Sequence, residues 1–194
     1  HRDLHSFPTR RSSDLPVGFK NGTDGSFQTA IDGISAASEQ HSYVGTGPDG
    51  HVCVLRTEGN PDGHLVLRGG KSVPNYDEQS VKSAQNDLSD GGLPANLVVD
   101  CSHGNSNKDH ERQPAVFEDV VGQRVSGNAG VVGVMLESHI NPGSQSLGDD
   151  PSELDYGVSI TDACVGWEKT EEIILWADED RKSTRLNSSH SESS

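Results

Sequence analysis

Four short apolar runs in this chain each end in a charged or metal-ligating residue, and they recur about one strand-plus-helix unit apart. Residues 97–99 (Leu-Val-Val) lead into Asp100 and His103. Residues 65–67 (Leu-Val-Leu) lead into Arg68, residues 131–136 (Val-Val-Gly-Val-Met-Leu) into Glu137 and His139, and residues 16–19 (Pro-Val-Gly-Phe) into Lys20. A continuous apolar run closed by polar residues suits a parallel strand covered on both faces, with chemistry at its C-terminal end. The repetition predicts an α/β barrel architecture with Lys20, Arg68, His103 and Glu137 gathered at one end of the strands. Only four such strand-helix units are legible, whereas a (β/α)8 barrel needs eight.

The segments between these runs fit the same plan. Phe27, Ala30, Ile31, Ile34 and Ala37 fall on one helical face behind a cap at Thr23 or Asp24. Residues 77–88 place Val81, Ala84 and Leu88 at helical spacing, and residues 114–125 do so with Val116, Val120, Val121 and Val125. Residues 171–176 begin a last helix. Residues 42–55 alternate around Gly47-Pro-Asp-Gly50 and predict an inserted β-hairpin. Residues 141–157 form a long Gly/Pro/Asp-rich loop, a size that in compact domains is usually functional or mobile.

Charge narrows the partners. The 194 residues carry a net charge of −15, and residues 16–179 alone hold 9 basic against 26 acidic residues, net −17. An acidic surface disfavours nucleic acid and anionic membranes. No apolar stretch is long enough to span a bilayer. Three widely spaced cysteines, Cys53, Cys101 and Cys164, argue against a disulfide framework and for a cytoplasmic setting. Against so acidic a background, Lys20 and Arg68 at strand ends call for an anionic substrate.

His103, Glu137 and Asp162 offer imidazole and carboxylate donors for one divalent metal of the Mn, Fe, Co or Zn class. The competing reading is that they satisfy polar contacts at loop starts. Cys101 lies two residues from His103, either as a further ligand or as a buried strand-end thiol; Cys164 has the same two readings. Arg presents a planar fork to phosphate or carboxylate and Lys a mobile point charge, so Lys20 and Arg68 either grip an anion or pair with Glu137 or Asp162. Asp100 is placed to orient His103 or a neighbouring cation. His139 and Lys108 are weaker candidates, with Lys108 expected in solvent. The Asn21–Gly25 turn either presents backbone N–H groups to a phosphate or simply connects strand to helix.

Five stretches together carry a resemblance: Gly-Phe-Lys-Asn-Gly-Thr-Asp-Gly at 18–25, Leu-Arg-Gly-Gly-Lys at 67–71, Asp-Cys-Ser-His-Gly-Asn-Ser-Asn-Lys at 100–108, Gly-Val-Met-Leu-Glu-Ser-His at 133–139, and Ser-Ile-Thr-Asp-Ala-Cys-Val-Gly-Trp-Glu at 159–168. In order and spacing the chain resembles the C-terminal half of a type I DAHP synthase. The resemblance implies half of a TIM barrel with an inserted hairpin that belongs to the feedback-inhibitor region, although a plain surface hairpin reads equally well. It implies condensation of phosphoenolpyruvate with erythrose 4-phosphate, with Lys20 and Arg68 contacting phosphoenolpyruvate, and His103, Glu137 and Asp162 as metal ligands. Catalytic roles fall to Lys20, Arg68 and His103, and substrate contact extends to Asp162. A fourth ligand, a cysteine, is expected upstream. An aromatic amino acid as inhibitor and a homo-oligomer of the full-length protein follow from the same resemblance.

Both ends read as foreign. Residues 5–15 and 180–190 resemble translated sequencing adapters, which sets residues 1–15 and 180–194 apart as disordered tails around a partial barrel domain at 16–179; native Ser/Arg-rich tails are the alternative. Two rival functions remain. A barrel hydrolase would want several histidine ligands, often as His-x-His, and this chain has no such pair. An acidic binding module without chemistry leaves Lys20 and Arg68 unexplained. The fragment alone is expected to be inactive.

Overall fold

A computed structural model describes residues 15–71 and 73–191, with side chains as far as Glu179 apart from Ser72. Residues 1–14 of the proposed N-terminal tail lie outside the described residues. The strands are β1 (Val17–Lys20), β2 (Ser42–Thr46), β3 (Val52–Arg56), β4 (Gly63–Leu67), β5 (Leu97–Asp100), β6 (Val131–Met135), β7 (Ser138–His139) and β8 (Val165–Gly166). The helices are α1 (Gln28–Ser38), α2 (Glu78–Asp90), α3 (Gln113–Val125) and α4 (Trp167–Ser191).

The four legible runs become one parallel sheet in the order β1-β4-β5-β6. β7 continues from β6 and pairs in parallel with β8, a fifth strand that two residues of sequence gave no periodicity to reveal. β2 and β3 form the expected antiparallel hairpin. Half of a TIM barrel with an insertion is the resulting architecture.

Alternation along each strand sorts side chains to two faces. Leu65, Leu67, Leu97, Val99, Cys101 and Val131 point outward, each at most 3% exposed. They pack against Ile31 and Ile34 of α1, Val81, Ala84 and Leu88 of α2, Val116, Phe117 and Val120 of α3, and Ile173 of α4. Burial of these side chains is the main source of stability, at roughly 25 cal/mol per Å² of apolar surface removed from water. The opposite face carries the row Lys20, Val66, Val98, Gly133, aligned partner to partner across the sheet.

One irregularity decides which way Glu137 points. Leu97 aligns with Val131, but Val98 aligns with Gly133, so Val132 is an extra residue in β6. Val132 is half-exposed, and beyond it the alternation is reset. Val134 then joins Val99 on the outer face while Met135 joins Asp100 on the inner one. Glu137, two residues past Met135, therefore faces inward.

Helix starts differ from expectation at α1. Neither Thr23 nor Asp24 caps it; Phe27 occupies the N-cap position without a side-chain bond. Asp24 instead closes the preceding turn, accepting from the Ser26 N–H at 3.0 Å and the Ser26 hydroxyl at 2.9 Å. α2 is capped by Asp77, which accepts from the Ser80 N–H. α4 continues through Ser191, so residues 180–191 extend a helix where the sequence suggests an unstructured tail.

The loops after β4 and β5 interlock through glycine. A Cβ on Gly104 would lie 2.6 Å from the Gly70 carbonyl oxygen and 2.8 Å from the Gly69 carbonyl carbon. Such contacts are within the steric core, so the loops could not close on one another. Gly104→Ala should lower stability by about 1–3 kcal/mol. Gly122→Ala should raise it by about 0.5–1 kcal/mol, because Gly122 lies within α3 and has open space around its Cβ position. Urea unfolding midpoints of the two variants check the contrast; equal shifts would show that the loops do not interlock.

Candidate metal centre

The site begins with Asp100, the last residue of β5, whose side chain is only 2% exposed. Its Oδ2 lies 2.8 Å from Lys20 Nζ and 3.0 Å from His103 Nδ1. Its Oδ1 accepts from the Ser102 N–H at 3.0 Å. Lys20 from β1 and His103 from the loop after β5 thus meet on one carboxylate. The His103 contact is at ion-pair distance without hydrogen-bond alignment, and Nδ1 has no other partner among the described residues.

His103 is held in a left-handed backbone conformation, φ 53°, and Asn107 and Lys108 share it at 54° and 61°. Non-glycine residues there are strained by about 1 kcal/mol or more and persist only where the surroundings over-determine them. Those surroundings are present. The Gly104 N–H donates to the Arg68 carbonyl and the Lys108 N–H to the His103 carbonyl. The buried Asn105 amide donates to the carbonyls of Leu67 and Asp100.

The other imidazole nitrogen faces two carboxylates. His103 Nε2 is 3.5 Å from Glu137 Oε1 and 3.7 Å from Asp162 Oδ2, and one donor atom from each residue lies within 4.8 Å of the others. Metal–ligand bonds of about 2.0–2.2 Å set neighbouring donors roughly 3.0–3.5 Å apart, so the trio fits a single divalent ion after small movements. The donor set, one imidazole and two carboxylates, suits Mn, Fe, Co or Zn. Among the described residues this is the one such cluster.

Two residues that sequence reasoning missed support Glu137. The Ser102 hydroxyl donates to Glu137 Oε2 at 2.6 Å. Gln113, fully buried at the start of α3, accepts from the Glu137 N–H and donates back to its carbonyl. Nothing in the sequence marks Gln113, since a polar residue at a helix start is ordinary. Ser102 was legible only by its place between Asp100 and His103.

The remaining candidates separate clearly. Arg68 follows β4 and, among the described residues, its guanidinium pairs with no carboxylate; the alternative of a Lys20 or Arg68 pair with Glu137 or Asp162 is not what the structure adopts. Lys108 is exposed as expected, yet it lines a cavity of about 330 Å³ together with Arg68, Lys71 and His103. His139 lies apart from the cluster, its Nδ1 against the Gly157 carbonyl and the Ile140 N–H. A larger, open depression of about 700 Å³ lies on the outer face around Phe117, Leu136, Trp167 and Ile174; of the two cavities, the smaller is the one lined by a member of the cluster, His103.

Cys101 packs into the outer core with no exposure. Burial, reinforced by the Asp100 charge, pushes its thiol up to about 12, and its place in the outer core sets it apart from the His103–Glu137–Asp162 cluster. Burial also raises Cys164, with the Glu137 and Asp162 charges adding to it. In native protein, iodoacetamide should label the half-buried Cys53 and leave Cys101 unmodified up to pH 9, as read by peptide mass spectrometry. Asp100→Asn removes the charge that holds Lys20 and His103. It should weaken metal binding about 10–100-fold in a competition titration, and unchanged affinity would show that Asp100 does not orient His103.

The profile of the DAHP synthetase I family matches residues 7–174. The chain is 51% identical over 174 residues to a Tyr-sensitive phospho-2-dehydro-3-deoxyheptonate aldolase of Enterobacter agglomerans, covering 90% of this chain and 79% of that protein. It is 50% identical to the Tyr-sensitive counterpart of Escherichia coli K12, covering 90% of this chain but 47% of the relative. The solved aldolase of Francisella tularensis SCHU S4 superposes with a TM-score of 0.79 at 36% identity, covering 87% of this chain and 48% of that one. Most of these relatives are thus about twice as long as the part this chain matches. With the family profile spanning most of its length and its strand-end constellation intact, the chain belongs to the DAHP synthetase I family.

Proposed function

We propose that this chain is part of a metal-dependent synthase that condenses phosphoenolpyruvate with erythrose 4-phosphate, taking up water and releasing inorganic phosphate. The observation that carries the reading is the His103–Glu137–Asp162 cluster with Arg68, which pairs with no carboxylate among the described residues, lining the same cavity as His103. A bound divalent ion would supply Lewis acidity toward the aldehyde oxygen. His103, Glu137 and Asp162 would hold it, with Asp162, the most exposed of the three, also facing the substrate side. Arg68 presents its fork to the phosphate of phosphoenolpyruvate. Lys20, anchored on Asp100, adds positive charge from the neighbouring strand. Together they fix the enol phosphate against the aldehyde, which is catalysis by proximity and charge stabilisation.

The known activities named for the relatives support further parts of the reading. Tyr-sensitive aldolases are among the relatives, so feedback inhibition by an aromatic amino acid, with the β2–β3 hairpin in the inhibitor region, belongs to the proposal. So do a cytoplasmic location and a homo-oligomer of the full-length protein. Among the described residues no helix is long and apolar enough to cross a membrane. The roles of residues 1–15 and 180–194 as foreign tails, and the inactivity of this segment alone, stand as proposals on the same footing.

The test uses the full-length protein that carries this segment. Phosphate release with both substrates should require a divalent metal and vanish with a chelator. His103→Ala should abolish stoichiometric metal binding, whereas Arg68→Ala should keep the metal and lose about 10–100-fold in phosphoenolpyruvate use, since each charge-assisted contact contributes about 1.5–3 kcal/mol. Turnover that survives the chelator, or full metal content in His103→Ala, would overturn the assignment.

A further inference from the structure

We propose that Lys71 and Lys108 form the outer lip of a phosphate-binding pocket, extending the anion site beyond Arg68. The pocket is the cavity of about 330 Å³, lined by Thr23, Arg68, Lys71, His103, Asn107 and Lys108 and by the backbone of Gly69, Gly70 and Gly104. No carboxylate lines it. In a segment with 26 acidic and only 9 basic residues, three cations around one cavity whose described lining includes no carboxylate are a marked departure. Neither lysine forms an ion pair among the described residues. Elsewhere on the surface Lys169 pairs with Glu172 at 2.7 Å, as a surface cation in an acidic protein ordinarily would.

The backbone holds both lysines in place. The Lys71 N–H donates to the Thr23 carbonyl at 2.8 Å, tying the loop after β4 to the loop after β1. The Lys108 N–H donates to the His103 carbonyl at 2.7 Å, and Lys108 itself keeps a left-handed conformation, φ 61°. The two lysines therefore approach the cavity from different loops, and Arg68 reaches it from the end of β4. A rigid fork flanked by two mobile point charges suits a tetrahedral dianion, which offers oxygens in several directions. The chemical class is a phosphate monoester or inorganic phosphate. Positive charge concentrated in a cavity also raises the local concentration of such anions in an otherwise repelling field.

This inference rests on the proposed substrate-binding role of the same strand ends, and its test separates the two. Isothermal titration of the metal-loaded full-length protein uses inorganic phosphate and phosphoenolpyruvate as probes. It compares wild type with Lys71→Gln, Lys108→Gln, the double variant, both Lys→Arg variants, and Lys82→Gln on α2 as a control. The double variant should bind at least one probe 10-fold or more weakly with a shallower salt dependence, the arginine variants should restore it, and metal stoichiometry should not change. Loss confined to inorganic phosphate assigns the pocket to the released product. Loss of phosphoenolpyruvate binding assigns it to the substrate. Equal affinities in wild type and the double variant for both probes, or binding of neither probe by wild type, overturn the pocket. Lysine-dependent binding in a protein that fails to condense the two substrates would leave the pocket standing and remove the reaction.

Discussion

A carboxylate buried at the end of β5 holds this end of the molecule together. Burying an ionised carboxylate costs several kcal/mol unless partners surround it, and removing one partner is costly in turn. Asp100 finds its partners on three sides: Lys20 from β1, His103 from its own loop, and the Ser102 N–H. Because β1 and β5 are separated by β4 in the sheet, the Lys20–Asp100 pair also bridges across a strand. One side chain thereby sets the positions of a cation and of the imidazole at once.

Around that carboxylate runs a belt of three buried asparagines. Asn21 Oδ1 accepts from the Arg68 N–H at 2.7 Å, and Asn75 Oδ1 accepts from the Gly69 N–H at 2.7 Å. Asn75 donates to Asn21, and its backbone N–H donates to Asn105. Asn105 in turn closes on the carbonyls of Leu67 and Asp100. Strand ends lose the sheet's regular pairing, and these amides replace it. A satisfied polar network inside low-dielectric surroundings is rigid, whereas a partly satisfied one would be a liability. The glycine interlock of Gly69, Gly70 and Gly104 adds shape to that rigidity.

Much of this was open to reading from the chain. The apolar runs gave the four strands, and the residues after them gave Lys20, Arg68, His103 and Glu137, because burial on both faces leaves strand termini as the natural place for charge. Asp100 as an orienting group was legible from its spacing to His103. What stayed hidden has physical causes. β8 is two residues long, too short for any period. Gln113 acts through backbone contacts to a residue 24 positions away, and Asn75 sits in a loop whose composition announces only a loop. Lys71 and Lys108 look like ordinary solvent lysines until two loops bring them to one cavity. The α1 start misled because Asp24 had two local uses, a helix cap or an Asx-type turn, and the turn prevailed.

The extra residue at Val132 has a consequence for how such a centre changes over time. A strand is a two-state code, in which each position is odd or even and the core reads one value while the solvent-side chemistry reads the other. Val131 keeps the core's value, and the inserted residue inverts every position after it. The hydrophobic layer and the carboxylate are thus in separate reading phases of one strand. Losing a single residue at this point would swap them, sending Glu137 toward the helices and Leu136 toward His103 and Asp162. Length in β6 is therefore under tighter constraint than identity. Conservative exchanges among Val131, Val132 and Val134 preserve the phase, and no substitution elsewhere can compensate for a deletion.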